Sequence, residues 1–226
     1  MSRQAGEPDS PSQAGTNTEP QCRYDWSVTG GTLISPSVTR NRDPILTVLR
    51  RLLPQSATVL EIASGTGEHA VYFAAALPHL QWQPTDYEEQ ALNSIAAHRA
   101  ASGLSNLLAP LMLDAAAPEW PVKQVDAVVA INMLQVSPWQ VVQGLMAGAG
   151  RVISPGGILY LYGPFKENGA HTAPGNEAFD QSLRLRNPEW GVRDIGEVAD
   201  LARTYGLDLV ERVAMPANNL SLVFRR

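Results

Sequence analysis

The stretch Ala57-Thr58-Val59-Leu60-Glu61-Ile62-Ala63-Ser64-Gly65-Thr66-Gly67 decides how the rest of the chain is read. Residues 57–62 are a short β-rich run, and Gly65 and Gly67 sit in the turn that ends it. Behind the turn, Val71, Phe73, Ala74 and Leu77 recur at helical spacing until Pro78 stops them. Glycines at a strand-to-helix turn let backbone amides approach a ligand that a Cβ would exclude. The turn therefore reads as a ligand loop in an alternating chain.

The alternation continues on both sides. Upstream, Ile45, Leu46, Leu49, Leu52 and Leu53 give a helix over 44–53, stopped by Pro54. Downstream, strands are expected over 80–85 and 107–113, closed by Asp86 and Asp114. Residues 125–133 form a continuous apolar run, the mark of a strand covered on both faces. A further strand, 158–162, follows Gly156 and Gly157. Helices are expected over 88–102, with Leu92, Ile95 and Ala96 inward, and over 138–149 and 194–205. Strands alternating with helices at this rhythm specify a doubly wound α/β sheet. The end departs from it, because Met215-Pro216-Ala217-Asn218-Asn219 is all that joins strands 207–214 and 220–224. A parallel crossover needs about a dozen residues or more, so the last strand is expected to run antiparallel, as a hairpin.

The chain has 226 residues, 44% of them hydrophobic, which is enough for one well-filled domain. Residues 1–22 are nearly all Ser, Gln, Gly, Pro, Thr, Asn and acids; they are expected to be a disordered tail, leaving 23–226 as the domain. Residues 24–37 mix aromatic and apolar side chains with Gly and Pro, as in a segment packed over a domain. No apolar stretch approaches the roughly 18 residues of a spanning helix, and no basic-then-apolar signal pattern is present. The single cysteine, Cys22, excludes an internal disulfide. A soluble, cytoplasmic protein is expected, without a membrane partner. The net charge is -5, the lysines are Lys123 and Lys166 alone, and no Lys/Arg cluster exists. That balance disfavours a nucleic-acid partner and favours a small molecule. No His/Cys/Asp cluster has metal-ligand spacing, so no catalytic metal is expected.

Gly65-Thr66-Gly67-Glu68-His69-Ala70 also fits the dinucleotide pattern GxGxxG/A, so a nicotinamide cofactor is one reading. Three features favour S-adenosylmethionine. Glu61 puts a carboxylate beside the loop, where it repels a pyrophosphate and attracts the methionine ammonium. Asp86 and Asp114 close the next two strands, placed to accept from ribose hydroxyls and an adenine amino group. A C-terminal antiparallel hairpin is usual in class I methyltransferases and unusual in dehydrogenases.

Longer segments carry a resemblance. They are Arg40-Asn41-Arg42-Asp43-Pro44-Ile45-Leu46, the loop from Leu60 to His69, Trp82-Gln83-Pro84-Thr85-Asp86 and Ile131-Asn132-Met133. Further along come Tyr162-Gly163-Pro164-Phe165-Lys166, Gly169-Ala170-His171-Thr172, Asn187-Pro188-Glu189-Trp190-Gly191-Val192-Arg193-Asp194 and Pro216-Ala217-Asn218-Asn219-Leu220. Through them the chain resembles the small methyltransferase family represented by methyltransferase-like protein 26. The resemblance implies a Rossmann-like class I methyltransferase fold with a seven-stranded sheet, S-adenosylmethionine as cofactor, and no particular substrate. The cofactor set on this reading is Asn41, Glu61, Ala63, Ser64, Gly65, Gly67, Asp86, Tyr87, Asp114, Ala115, Asn132 and Met133. There is one departure: where relatives commonly read Asn-Met-Ile-His, this chain has Asn132-Met133-Leu134-Gln135.

The remaining candidates carry two readings each. Tyr87 either stacks on adenine or is a half-buried loop residue; Asn132 either lies beneath the reactive sulfonium or caps the next turn. His171, in a loop of Gly, Asn, Thr and Pro, either takes a substrate proton as general base or is merely solvated. His69 reads as packing or hydrogen bonding at a helix start, His79 and His98 as surface residues. Gln135 and Trp139, with Phe165 and Lys166 in a loop over 163–176, are expected to wall the acceptor pocket under a cover of residues 24–42. The expected function is methyl transfer to a nucleophilic O, N or S of a small molecule. The alternatives are a regulatory protein that holds the same cofactor and an NAD-dependent oxidoreductase.

Overall fold

The computed structural model describes residues 26–29 and 32–226; the tail expected over 1–22, with Cys22, lies outside the described residues. The chain begins with β1 (Ser27–Thr29), β2 (Thr32–Ile34), α1 (Pro36–Leu52), β3 (Thr58–Ile62), α2 (Glu68–Ala76) and β4 (Gln81–Asp86). It continues through α3 (Glu89–Ser102), β5 (Leu111–Met112), β6 (Val125–Ile131), α4 (Trp139–Val152) and β7 (Ile153–Gly163). The last third holds β8 (Phe165–Glu167), β9 (Ala170–His171), α5 (Pro174–Arg186), β10 (Arg193–Asp194), α6 (Ile195–Thr204), β11 (Asp208–Met215) and β12 (Asn219–Arg225).

Seven strands form one sheet in the order β11-β12-β7-β6-β3-β4-β5. From β5 to β7 neighbours are parallel, whereas β12 runs antiparallel to both β7 and β11, as the short joint requires. The chain leaves β3 toward β4 and β5, then returns to place β6 on the other side of β3. Ligands of open α/β sheets bind outside the strand ends at such a reversal. On one face, Val59, Ala127, Val129 and Tyr160 pack under α1 and α2. On the other, Leu60, Val128, Ala130 and Leu159 pack under α4 and α6. Covering both faces explains the unbroken apolar run of β6.

Four expectations need correction. α1 starts at Pro36, and Pro44 lies inside it; proline at a helix start had suggested otherwise. The proline leaves the Arg40 carbonyl without its helical donor, but Arg40 is exposed and water can serve. On α3 the buried residues are Ala91, Ser94 and Ile95, with Ala96 exposed. The strand expected over 107–113 is reduced to a bridge between Trp82 and Leu107 and the two residues of β5. Trp82 exchanges backbone bonds with Asn106 and Leu108, so Pro84, two residues on, faces the same side and has no N–H to give. The Gln83 side-chain amide fills the gap, donating to Ala109 O at 2.7 Å and Pro84 O at 3.0 Å. The loop expected over 163–176 is structured: β10, β8 and β9 form a small three-stranded sheet of their own, and α5 begins at Pro174.

Candidate functional site

The ends of β3, β4 and β6 meet around the loop 63–67. Ala63, Gly65 and Gly67 have φ of 54°, 58° and 89°, so the backbone curls through the left-handed region before α2 begins. Glycine tolerates this; Ala63 bears strain of about 1–2 kcal/mol. The turn is laced to β4. Ser64 N donates to Thr85 O at 2.8 Å, Thr85 N to Ser64 Oγ at 3.1 Å, and Thr85 Oγ1 to Glu61 O at 2.7 Å. The Ser64 hydroxyl is thus spent inside the loop. Gly67 admits no side chain, since a Cβ there would come 2.8 Å from Ile95 Cα.

Asp86 is buried and bonds the loop directly: Oδ2 accepts from Gly65 N at 2.9 Å and Oδ1 from Glu88 N at 3.0 Å. Burial pushes its carboxyl above the usual range, against those two amides. Glu61 is 2% exposed and accepts from Trp82 Nε1 at 2.8 Å. Burial pushes it from 4.5 to about 7, opposed by its bonds to Trp82 and Ser64 and helped by the charge of Asp86. Glu61 lies beneath the loop, so its charge acts through protein rather than across an open cleft. Asp114 is exposed and accepts from Ala116 N at 2.8 Å, while Ala115 is buried beside α4. Tyr87 is 45% exposed and donates to Glu88 Oε1 at 2.9 Å.

A polar seam closes the site toward α1. Asn41 is buried, with His69 Nε2 2.8 Å from its Oδ1. Burial, reinforced by Arg42, pushes His69 down to about 3, so the neutral ring donates to Asn41. His69 also stacks on Phe73 at 5.4 Å, joining packing to hydrogen bonding as expected. Burial raises the Tyr162 hydroxyl, opposed by the Asn219 and Asn41 side chains that face it from the start of β12 and from α1. His98 is not a plain surface residue: its Nε2 lies 3.1 Å from Leu33 O.

Asn132 has φ 53° and donates its N–H to Tyr162 O at 2.8 Å. The short turn Leu134–Val136 that follows has no side-chain cap, so the capping reading of Asn132 fails. Met133 belongs to the core. Gln135 is buried, its carbonyl accepting from Gly191 N at 2.9 Å; a Cβ on Gly163 would come 3.1 Å from Gln135 Oε1. Trp139 is half-buried, with the Arg193 guanidinium 5.7 Å from its ring centre.

The other expected pocket residues are taken up by the core and by Asp180. Phe165 is 2% exposed and packs in the core instead of walling a pocket. Lys166 is no solvated cation: its Nζ lies 3.0 Å from Asp180 Oδ2, and His171 Nε2 lies 3.3 Å from the same oxygen. Arg184 Nε at 3.2 Å and Val192 N at 2.7 Å hold Asp180 Oδ1. Burial alone would raise Asp180, but Lys166, the Val192 amide and Arg184 outweigh it and hold the carboxyl below its usual range. With Nε2 turned to Asp180, the hydrogen belongs on that nitrogen. Nδ1 is left as an acceptor, buried and without a partner among the described residues. His171 also lines an open hollow of about 460 Å³, together with the rest of residues 169–174 and Glu177. Asp180 went unread because α5 went unread; Asp180 and Arg184, four apart on that helix, were the available signal.

Among the described residues no helix is long and apolar enough to cross a membrane. A family model described as "Protein of unknown function (DUF938)" matches residues 32–226. Solved structures share the fold. An O-methyltransferase family protein from Burkholderia thailandensis matches with TM-score 0.72 and 16% identity over 84% of this chain and 57% of its own. The S-adenosylmethionine-dependent methyltransferase SibL, in its apo form, matches with TM-score 0.70 and 20% identity over 84% of this chain and 55% of its own. An O-methyltransferase family 2 protein from Planctomyces limnophilus, solved with apigenin, gives TM-score 0.66 and 16% identity over 82% and 61%. This chain therefore spans a little over half the length of the structures it matches.

Proposed function

We propose a function for this chain, which belongs to the family described as "Protein of unknown function (DUF938)", from the site itself: methyl transfer from S-adenosylmethionine to a nucleophilic O, N or S of a small molecule, in the cytoplasm. The observation that carries the reading is the loop 63–67 with the Asp86 carboxylate on the Gly65 amide. The motifs around Asn41, Trp82 and Asn187 support kinship with the family represented by methyltransferase-like protein 26. The solved structures that share the fold, the S-adenosylmethionine-dependent methyltransferase SibL and an O-methyltransferase family 2 protein in complex with apigenin among them, agree with it.

The residues fit that cofactor. The loop lies at the strand-to-helix turn where ligands of open α/β sheets bind, and the acids Glu61, Asp86 and Asp114 suit a cation and hydroxyl donors rather than a pyrophosphate. Each Asp86 oxygen, with one amide bound, keeps a second lone pair for a ribose hydroxyl. S-adenosylmethionine supplies a methyl group already activated on a positively charged sulfur. The protein's work is alignment and exclusion of water. Asn132 and Met133 floor the site at the end of β6. Gln135, where relatives commonly have His, cannot take a proton, which leaves His171, held on Asp180 through Nε2, as the candidate base.

S-adenosylmethionine or S-adenosylhomocysteine at 100 times its dissociation constant is expected to add about 2.7 kcal/mol to stability. That shifts the melting temperature by roughly 5–10 °C, whereas NAD leaves it unchanged. Calorimetric heat from NAD and none from the adenosyl compounds would overturn the reading. Asp86→Ala is expected to weaken S-adenosylhomocysteine binding by roughly 1.5–3 kcal/mol, the scale of a hydrogen bond to a charged group. Titration calorimetry checks this, and an unchanged affinity would place the ribose elsewhere.

A further inference from the structure

β1 contributes nothing to the core: Ser27, Val28 and Thr29 are exposed, Val28 by 63%. Its partner β2 is firmly seated. Leu33 is 3% exposed, and its N–H donates to Ser94 Oγ at 2.8 Å. Ser94 Oγ in turn donates to Thr66 O at 2.8 Å, inside the glycine loop. A second chain of bonds runs in parallel: Ser35 N donates to Glu68 Oε2 at 2.7 Å, and Thr66 Oγ1 to the same oxygen at 3.0 Å. The two strands and the loop are therefore fastened together at Thr66 from two directions.

What this fastening positions is Trp26, half-buried at the head of β1. Its indole lies directly on Gly65, where an added Cβ would come 2.9 Å from Cζ2 and 3.4 Å from Cη2. Gly65 is thus a glycine twice over, for its left-handed φ and for the ring against it. Its amide is the one held by Asp86, so the indole borders the end of the site where ribose hydroxyls would be accepted. A flat aromatic ring against a side-chain-free backbone, next to a carboxylate, sets an apolar stacking surface beside a hydroxyl acceptor, the two features that recognise a nucleoside.

We infer that Trp26 is a cofactor-contacting residue, its indole forming the outer wall of the nucleoside part of the site. This rests on the cofactor reading above. The full-length protein is titrated with S-adenosylhomocysteine and with 5′-methylthioadenosine, which keeps the nucleoside and lacks the amino-acid tail, by calorimetry and tryptophan fluorescence. Trp26→Ala is expected to weaken both ligands about tenfold, the scale of aromatic stacking on a base. Trp26→Leu, which keeps apolar bulk on β1 without the ring, should weaken them equally and melt like wild type without ligand. Trp26→Phe should keep most of the affinity but lose the fluorescence change. Wild-type affinity in both the Ala and Leu variants overturns the inference while the cofactor reading stands. A loss for S-adenosylhomocysteine but none for 5′-methylthioadenosine also overturns it, because the ring would then border the amino-acid tail. If the wild type binds neither compound, the cofactor reading fails first and this wall falls with it.

Discussion

Glu61→Gln is expected to make the ligand-free protein more stable at pH 8, by up to about 3 kcal/mol, while weakening S-adenosylmethionine binding roughly tenfold. The stability half follows from a carboxyl moved by burial from 4.5 to about 7. The folded state holds the Glu61 proton more tightly than the unfolded state, so the ligand-free protein suffers nothing from this group below about pH 4.5. It then loses stability as pH rises and carries the full deficit above about 7. Gln is neutral throughout and still offers an oxygen to Trp82 Nε1. The two proteins should therefore melt together near pH 4 and diverge toward pH 8. The binding half follows from charge: at an effective dielectric of about 20, opposite charges roughly 8–15 Å apart attract by about 1–2 kcal/mol. In the wild type, affinity for the cationic cofactor should rise as pH passes through 7, and in the variant it should stay flat. Thermal melts and calorimetric titrations from pH 4 to 8 check both halves. A variant less stable than wild type at pH 8 would mean that Glu61 is ionised and well compensated in its buried site.

Asp180→Ala should cost about 3–5 kcal/mol of stability at pH 7, since it leaves the half-buried Lys166 without its counter-charge and strips the buried Val192 amide of its acceptor. The sign is opposite to that of Glu61. A carboxyl held below its usual range contributes stability that is full above the ordinary value of 3.8 and is lost as pH falls through the lower folded value. Urea unfolding should therefore separate the two proteins widely at pH 7 and less at strongly acidic pH. Equal midpoints at pH 7 would show that solvent already screens the cluster.

The loop 63–67 was legible because its chemistry is local: a β-rich run, two glycines and a helix start stand side by side in the chain. The final hairpin was legible from the length of one joint. α5 was not, because the face it buries is Asn176, Asp180 and Leu183, two of them polar. No apolar stripe marked it, and the Pro-Gly-Asn at its start reads as a turn. With that helix missed, Lys166 was read as a pocket wall and His171 as a base or a solvated residue, when both were already held by Asp180. The break over 107–113 was hidden for another reason: its cause, Pro84, sits in the neighbouring strand, where the proline itself is tolerated. Trp26 was legible only as part of the covering segment 24–42, since the glycine it rests on was already explained by the turn.

Prolines and charge also govern how this sheet behaves among copies of itself. An edge strand is a template on which another chain can crystallise a strand of its own, the first step of aggregation. At one border β5 offers two residues, with Pro110 immediately before them. At the other, β11 is bulged between Leu209 and Glu211 and carries charges along its length, Glu211 clasped by Arg51 from α1 and Arg212 paired with Glu167. A strand arriving from a neighbour would meet a template too short on one side, and one kinked and ionically occupied on the other. Concentrated solutions should accordingly resist fibrous self-association, and the proline that shortens a strand within the chain also keeps the sheet from growing beyond it.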